Sequence, residues 1–196
     1  TQLTSRLCQS AQLPPDLILP MCDRAVPTRV RTQDGWLDFQ DYFVRRQHRD
    51  RVLECRYEGT AQTPPTSQVQ QALRGAERLI LAPSNPFLSL LPIMSLQGMA
   101  QLWHSCQVPK IAVSPMLGNQ AVKGPLASLL ESLGHPINSL GVAHVLQGWV
   151  DTILIDIQDS SLQQSIEALG IRVVLCDTLM RDVPDRQRLA QIVLDA

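Results

Sequence analysis

The most informative stretch of the sequence is Leu79-Ile80-Leu81-Ala82-Pro83-Ser84-Asn85-Pro86, a short apolar run that passes directly into a polar turn. Three similar apolar runs follow it along the chain, namely Ile111-Ala112-Val113, Ile153-Leu154-Ile155 and Val173-Val174-Leu175. Continuously apolar runs of this length are typical of parallel strands that are covered on both faces. The chain is therefore predicted to be an α/β protein with a parallel sheet.

Helices are predicted between and around these strands, at 66–77, 95–106, 125–133, 161–169 and 184–194. Glycine follows two of them, at Leu133-Gly134 and Leu169-Gly170, where it readily takes the left-handed conformation of a helix end. The expected fold is a Rossmann-like, mostly parallel sheet with helices on both faces.

The first 59 residues show a different pattern. Asp34-Gly35 is a strong hairpin signal between the strand candidates 26–32 and 36–39. Further strands are predicted at 17–21 and 51–57, the end of a helix at 1–12, and a strand that continues as a helix within 38–49. We interpret 1–196 as a single α/β domain fragment, with a mixed hairpin and helix region at 1–59 and an alternating region at 66–196.

Composition excludes several classes of function. The 196 residues carry 17 Lys and Arg against 18 Asp and Glu, so the net charge of −1 argues against binding to nucleic acid through bulk positive charge. Apolar runs fall short of the ~18–20 residues that span a bilayer, and a basic-then-apolar signal segment is missing. The five cysteines show no C-x-x-C spacing, which favours free thiols. We expect a cytoplasmic protein that does not bind membranes.

Charged residues are sparse between Arg78 and Asp151, where only Lys110, Lys123 and Glu131 carry a formal charge. The segment 45–51, by contrast, is densely basic. A solvated helix face is the favoured interpretation of this run, because long charged side chains readily stay in water. The alternative is a rim that attracts a phosphorylated ligand.

Candidate binding residues follow the first two strands, with Ser84, Asn85 and Pro86 after one and Ser114 after the other. In open parallel sheets, ligands collect beyond the carboxyl ends of the strands. A hydroxyl, an amide and free backbone N–H groups can hold phosphate oxygens there without a charged side chain. The alternative is an ordinary loop in which Asn85 bonds its own backbone.

The loop 114–125 adds three candidates. Gly118 and Gly124 allow the backbone to approach a ligand closely, and Lys123 stands just before a predicted helix, whose dipole repels a cation. An anion between Lys123 and the helix would explain this placement, although an exposed lysine is an acceptable alternative. The order of a Walker motif is absent.

Several motifs along the chain together resemble one known family. They are Leu19-Pro20-Met21-Cys22-Asp23, Asp38-Phe39-Gln40-Asp41-Tyr42-Phe43, Ala82-Pro83-Ser84-Asn85-Pro86, Val113-Ser114-Pro115, Val122-Lys123-Gly124-Pro125, Leu140-Gly141-Val142-Ala143 and Asp177-Thr178-Leu179-Met180. In this order and spacing the sequence resembles the 2-phospho-L-lactate transferase family, which builds the deazaflavin coenzyme F-420.

The resemblance implies a reaction and its ligands. Such enzymes join a phospho-acid unit, 2-phospholactate, phosphoenolpyruvate or a similar acid, to the deazaflavin alcohol Fo. The donor is a guanylyl diphosphate-linked acid, GMP is released, and Mg2+ is required. On that basis Ser84, Asn85, Pro86, Ser114, Gly118, Lys123 and Gly124 would bind substrate or nucleotide, and Asp23 would lie near the acceptor or the metal. We assign no catalytic residue and no metal ligand.

The sequence also departs from the family pattern. The initial strand and glycine-rich loop of the family have no counterpart here, and Arg24 stands where a second acidic residue is usual. We therefore expect a segment that is weakly active or inactive alone and that exposes an apolar sheet edge, which would favour a homo-oligomer. Two alternatives stay open: a non-catalytic nucleotide-sugar-binding regulator of the gluconeogenesis-factor branch, and an interaction fragment. Convergence of Ser84, Asn85 and Lys123 on one crevice would favour a ligand site.

Overall fold

The computed structural model describes residues 1–122 and 124–196 of the chain. The N-terminal region carries one helix and three strands, α1 (Gln2–Ser10), β1 (Thr28–Thr32), β2 (Gly35–Asp38) and β3 (Glu54–Tyr57). The strands form an antiparallel sheet in the order β2-β1-β3. The hairpin predicted at Asp34-Gly35 is present, with Val30 opposite Leu37. Gly35 has φ +109°, a conformation that side-chain-bearing residues rarely adopt.

The strand predicted at 17–21 is wrong. Over the described ranges this segment pairs with no strand, and Leu17 and Ile18 are 63% and 53% exposed. Pro20 lacks the N–H that a ladder needs, and the segment is held instead by Thr66, whose N–H and hydroxyl donate to Met21 O and Pro20 O. Within 38–49, the helical part is one π-helical turn at Asp41–Arg45.

The second region alternates between helix and strand, as predicted. Its elements are α2 (Ser67–Arg74), β4 (Leu79–Leu81), α3 (Leu91–Met94), α4 (Met99–Ser105), β5 (Lys110–Val113), β6 (Met116–Leu117), β7 (Gln120–Ala121), α5 (Leu126–Ser132), α6 (Ser139–Leu146), β8 (Thr152–Asp156), α7 (Gln163–Glu167), β9 (Arg172–Cys176) and α8 (Val183–Asp195). The strands β4, β5, β8 and β9 are parallel and lie side by side in that order, and β6 pairs with β7 in a small hairpin.

Both faces of the parallel sheet carry helices, which confirms the expected fold class. On one face, Ile111, Val113 and Leu154 pack against α8. The larger cluster on the other face includes Leu79, Leu81, Ala112 and Ile153 together with helices and with Val30, Tyr42 and Val52 of the N-terminal region. The strand β4 lies at one edge of the sheet, where Ile80 is 44% exposed. The division into one domain stays a prediction.

The helix α6 is absent from the predictions above, because it shows no amphipathic pattern. Ser139, Gly141, Val142, Ala143 and Leu146 are all buried, so water touches little of it. A short helix that is apolar around most of its circumference gives no 3.6-residue periodicity to read. None of the helices that the structure describes combines the length and apolar character that a membrane crossing needs.

Candidate functional site

A cavity of about 660 Å³ opens where the strands β4 and β5 end. This volume is typical of small-molecule sites, which span roughly 300–1,000 Å³, and the carboxyl ends of parallel strands are where such sites form. The lining residues come from the segments that follow β2, β4, β5, β7 and β9. They are Phe39, Phe43, Pro83, Ser84, Asn85, Leu88, Ser89, Ser114, Pro115, Val122, Gly124, Pro125, Leu126, Thr178, Leu179 and Met180.

The turn after β4 is organised by Asn85. Its Oδ1 accepts hydrogen bonds from the backbone N–H groups of Phe87 at 3.0 Å and Leu88 at 3.3 Å, so it caps the helical turn that follows. Its Nδ2 is buried and, within the described ranges, has no hydrogen-bond partner. Leaving a buried donor unpaired costs about 1–3 kcal/mol. A ligand oxygen that accepts from this amide would therefore be stabilised.

Two phenylalanines form what we call the aromatic wall of the cavity. The rings of Phe39 and Phe43 are stacked with centroids 5.4 Å apart, and the ring of His48 stacks on Phe43 at the same 5.4 Å. Phe43 is 36% exposed. The chain has only three phenylalanines, and two of them line this cavity. Exposed rings at a cavity wall can stack on a planar ligand.

A hydrogen bond connects the hairpin region to the polar turn after β4. The hydroxyl of Tyr57, at the end of β3, donates to the backbone oxygen of Phe87 at 2.5 Å. Burial raises the pKa of this phenol well above its ordinary value, so it stays a donor. The bond positions the sheet that carries the aromatic wall against the turn that carries Asn85.

Behind the end of β5 lies a buried serine–aspartate chain. The hydroxyls of Ser114 and Ser139 are 2.9 Å apart, and Ser139 donates to Oδ2 of Asp159 at 2.6 Å. All three side chains are buried. Ser114 also accepts from the N–H of Met116 at 3.2 Å. Burial raises the pKa of Asp159, while the bond from Ser139 opposes that rise.

A second buried carboxylate holds the loop after β9. Oδ2 of Asp156 accepts from the N–H of Thr178 at 3.0 Å and from its hydroxyl at 3.3 Å, and Oδ1 accepts from the N–H of Gln158 at 3.0 Å. Thr178, Leu179 and Met180 line the cavity. Asp156 therefore fixes the side of the cavity that lies beyond β8 and β9.

The structure brings together four of the residues selected from the sequence. Ser84, Asn85, Ser114 and Gly124 all line the cavity. Lys123 lies outside the described residues.

Three further candidates lie elsewhere. Gly118 is in the turn between β6 and β7, and its N–H stabilises the carboxylate of Asp159. Pro86 is buried at the start of the helical turn after Asn85. Asp23 does not line the cavity; its side chain is 61% exposed and accepts hydrogen bonds from the amino group and hydroxyl of Thr1.

Several functional candidates were not selected from the sequence. Two of the motifs that resemble the family contain lining residues that were not selected: Phe39 and Phe43 in 38–43, and residues 178–180 in 177–180. Membership of these motifs was the signal that could have identified them. Ser139 and Asp159 gave no such signal, because only the folded chain brings them to Ser114.

The described lining of the cavity is electrically neutral. It contains no carboxylate and no basic side chain, and the described residues contain no group of three or more His, Cys, Asp or Glu that could hold a metal ion. The arginines of the basic run do not line the cavity either. Arg45 pairs with Asp41, and Arg46 pairs with Asp34 and Asp50. These pairs agree with a solvated surface.

The chain as a whole is similar to known proteins. The family model of 2-phospho-L-lactate transferase CofD matches residues 1–192. A 2-phospho-L-lactate transferase of Methanosarcina acetivorans is 36% identical over 177 residues, which cover 90% of this chain and 57% of the relative. The Methanospirillum hungatei relative of the same name is 34% identical over 194 residues, or 99% of this chain and 62% of its own length.

Solved structures agree on the fold. A crystal structure of a UPF0052 family member from Bacillus halodurans superposes with a TM-score of 0.66 at 16% identity, covering 97% of this chain and 65% of that one. The chain thus spans less than two thirds of the length of these relatives. Because the family model extends over nearly all of its residues, the chain belongs to the 2-phospho-L-lactate transferase CofD family.

Proposed function

We propose that this chain supplies the substrate cavity of a transferase that joins a phospho-acid unit to the deazaflavin alcohol Fo in coenzyme F-420 biosynthesis. The donor is a guanylyl diphosphate-linked acid carrying 2-phospholactate, phosphoenolpyruvate or a similar unit. The observation that carries the proposal is one cavity with two unlike sides: a neutral polar turn at Ser84-Asn85 and an aromatic wall at Phe39 and Phe43. The relatives named 2-phospho-L-lactate transferase support the reaction class.

The two sides suit the two parts of such a reaction. Phosphate oxygens accept hydrogen bonds, and the unpaired amide of Asn85, the hydroxyl of Ser84 and the backbone at Gly124 are donors that need no charge. A deazaflavin ring is planar and would stack on the aromatic wall. Gly118, Pro86 and Asp23 do not line the cavity, so nucleotide-binding roles for Gly118 and Pro86 and an acceptor-side role for Asp23 are proposed from the family resemblance alone. The same holds for Lys123, which lies outside the described residues.

The chemistry is a phosphoryl-type transfer. A hydroxyl oxygen of the acceptor forms a bond to the phosphorus that bears the acid, and the bond from that phosphorus to the guanylyl oxygen breaks. GMP leaves with the bonding electrons, and the hydroxyl proton passes to solvent. The contribution of these residues is to hold both substrates in one neutral cavity, where donors such as the Asn85 amide meet the developing negative charge.

Magnesium remains a proposal that rests on the resemblance. The described residues do not fit a magnesium site, because Mg2+ prefers carboxylate oxygens and the described lining offers none. Asp156 and Asp159 are buried and already accept hydrogen bonds from the protein. We derive no step through the metal, and we likewise propose, without a structural argument, a cytoplasmic location and a homo-oligomer.

Binding of GDP and of Fo to this 196-residue chain tests the proposal. At ~100 times its Kd, a ligand stabilises the folded state by ~2.7 kcal/mol, which raises the Tm by roughly 5–10 °C at this size. We expect such shifts with GDP and with Fo, measured by thermal unfolding, and none with a UDP-sugar. Stabilisation by the UDP-sugar alone would favour the regulator alternative. No shift with any of the three would contradict a substrate cavity in this segment.

The aromatic wall gives a second, sharper test. Phe43→Ala should weaken binding of Fo about 10-fold, because stacking of a planar ring is worth ~1–3 kcal/mol, and should leave GDP binding unchanged. Fluorescence titration of the deazaflavin measures the change. Phe43→Trp keeps an aromatic surface and should retain affinity. The matched control is Val44→Ala, a neighbouring residue that is 62% exposed and does not line the cavity. If Phe43→Ala and Val44→Ala bound Fo with equal affinity, the deazaflavin ring would not stack on Phe43.

A further inference from the structure

The serine–aspartate chain of Ser114, Ser139 and Asp159 has a direction that proton counting can determine. Each serine hydroxyl has one proton to donate and two lone pairs to accept with. Ser139 spends its proton on Asp159, at 2.6 Å. The 2.9 Å bond between the two hydroxyls can then be made only if Ser114 donates to Ser139.

That direction determines what Ser114 can offer to a ligand. Its proton is committed to Ser139, and one of its lone pairs accepts from the N–H of Met116. What remains is a single lone pair, on a residue that lines the cavity although it is only 2% exposed. The oxygens of the donor's diphosphate linkage carry no proton at neutral pH and also bring only lone pairs, so the two would repel. A hydroxyl group of a ligand brings the proton that this lone pair needs.

We propose that Asp159 is a positioning residue that holds the Ser114 hydroxyl as a hydrogen-bond acceptor, so that this side of the cavity receives a hydroxyl of the acceptor substrate rather than a phosphate oxygen of the donor. The inference rests on the proposed function and refines it. It moves Ser114 from the phosphate side, where the sequence placed it, to the side of the polyhydroxylated acceptor chain. The aromatic wall and Ser114 would then hold the ring and the alcohol of one molecule.

The direction of the hydrogen bonds in the serine–aspartate chain depends on the ionisation of Asp159. When the carboxyl is protonated it can donate to Ser139, which then donates to Ser114 and leaves the Ser114 proton free for another acceptor. Burial and the negative charge of Asp156 at the end of β8 raise the pKa of Asp159. The Ser139 hydroxyl on α6 and the N–H of Gly118 in the β6–β7 turn favour the ionised form. The preference for a hydroxyl should therefore be present above this raised pKa and be lost as the pH falls through it.

Two flavins serve as probes, because riboflavin and lumiflavin share one ring and only riboflavin carries hydroxyls on its side chain. The readout is the ratio of their affinities for the 196-residue chain, measured by fluorescence quenching. In the wild type we expect riboflavin to bind more tightly, with a ratio that falls as the pH is lowered through the raised pKa of Asp159. Ser114→Ala and Ser139→Ala should each lower the ratio about 3- to 10-fold at neutral pH, as expected for one hydrogen bond, and remove its dependence on pH.

A purely structural role predicts a different result, since damage to the cavity would weaken both flavins equally and leave the ratio unchanged. Sulfate, an oxyanion that carries no proton in this pH range, gives the opposite readout. Its affinity should rise in Ser139→Ala, because Ser114 regains a proton to donate. If both variants keep the wild-type ratio of riboflavin to lumiflavin affinity, and this ratio does not change with pH, the inference is overturned while the proposed function stays in place. If GDP binds and neither flavin does, the proposed acceptor and this inference fail together. If a variant does not fold, the pH dependence of the wild-type ratio decides.

Discussion

Gly141→Ala is expected to destabilise the protein by about 3 kcal/mol or more, although alanine is the better helix former by ~1 kcal/mol. Gly141 lies in α6, and a Cβ at this position would overlap the backbone oxygen of Pro136 and lie 3.2 Å from Cδ2 of Leu130. A backbone carbonyl cannot rotate away as a side chain can, so α6 must shift. Thermal unfolding should show a Tm lower by roughly 6–12 °C.

Gly75→Ala is the matched control for this substitution. Gly75 ends α2 with φ −97°, and a Cβ there would lie at an ordinary 3.5 Å from the backbone oxygen of Gln71. Its Tm should stay within about 2 °C of wild type, since neither strain nor overlap opposes the change. A Gly141→Ala variant as stable as the Gly75→Ala variant would show that α6 does not pack against Pro136 as described.

The helix that contains Gly141, α6, was not predictable from the sequence. The strand runs were recognised because three or four consecutive apolar residues between predicted helices and polar turns are typical of buried parallel strands. The predicted run 79–82 matches the observed Leu79–Leu81. The helix α6 has the same apolar character over eight residues, but no partner strand or cap pattern distinguished it from a loop. Its cap, Asn138, bonds the N–H groups of Leu140 and Gly141, a signal readable from the sequence only after the helix is known.

The residues of the candidate site also differ in whether the sequence could predict them. Ser84 and Asn85 were predictable because they directly follow a strand, and strand ends in a parallel sheet share one edge. The serine–aspartate chain was not, since its two bonds join residues separated by 25 and 20 positions along the chain. Asn85 illustrates a mixed outcome: its Oδ1 bonds its own backbone, as in an ordinary loop, and its Nδ2 is unpaired within the described part of the chain. The order of residues along the chain predicts a polar segment at the end of a strand. Only the folded structure shows which of its atoms already make hydrogen bonds.

Asp156→Ala is expected to cost both stability and ligand binding. The carboxylate is 1% exposed and accepts from the N–H of Gln158 and from both the N–H and the hydroxyl of Thr178. Alanine removes a helix cap worth ~1 kcal/mol and leaves a buried N–H unpaired at a cost of ~1–3 kcal/mol. We expect a loss of about 3 kcal/mol in thermal unfolding. Because Thr178, Leu179 and Met180 line the cavity, Fo affinity measured by fluorescence titration should fall at least 10-fold at a temperature where the variant is folded.

The matched control is Asp182→Ala, which removes another aspartate cap from an exposed helix start. Asp182 accepts from the N–H of Asp185 at 2.9 Å and does not line the cavity, so its loss should cost ~1 kcal/mol and leave Fo affinity unchanged. The two variants separate capping from positioning, since each loses one cap and only Asp156→Ala releases the loop after β9. Equal losses of stability together with equal Fo affinity would mean that this loop keeps its place without the carboxylate. A variant that loses stability but binds Fo normally would show that Thr178–Met180 forms no part of the acceptor site.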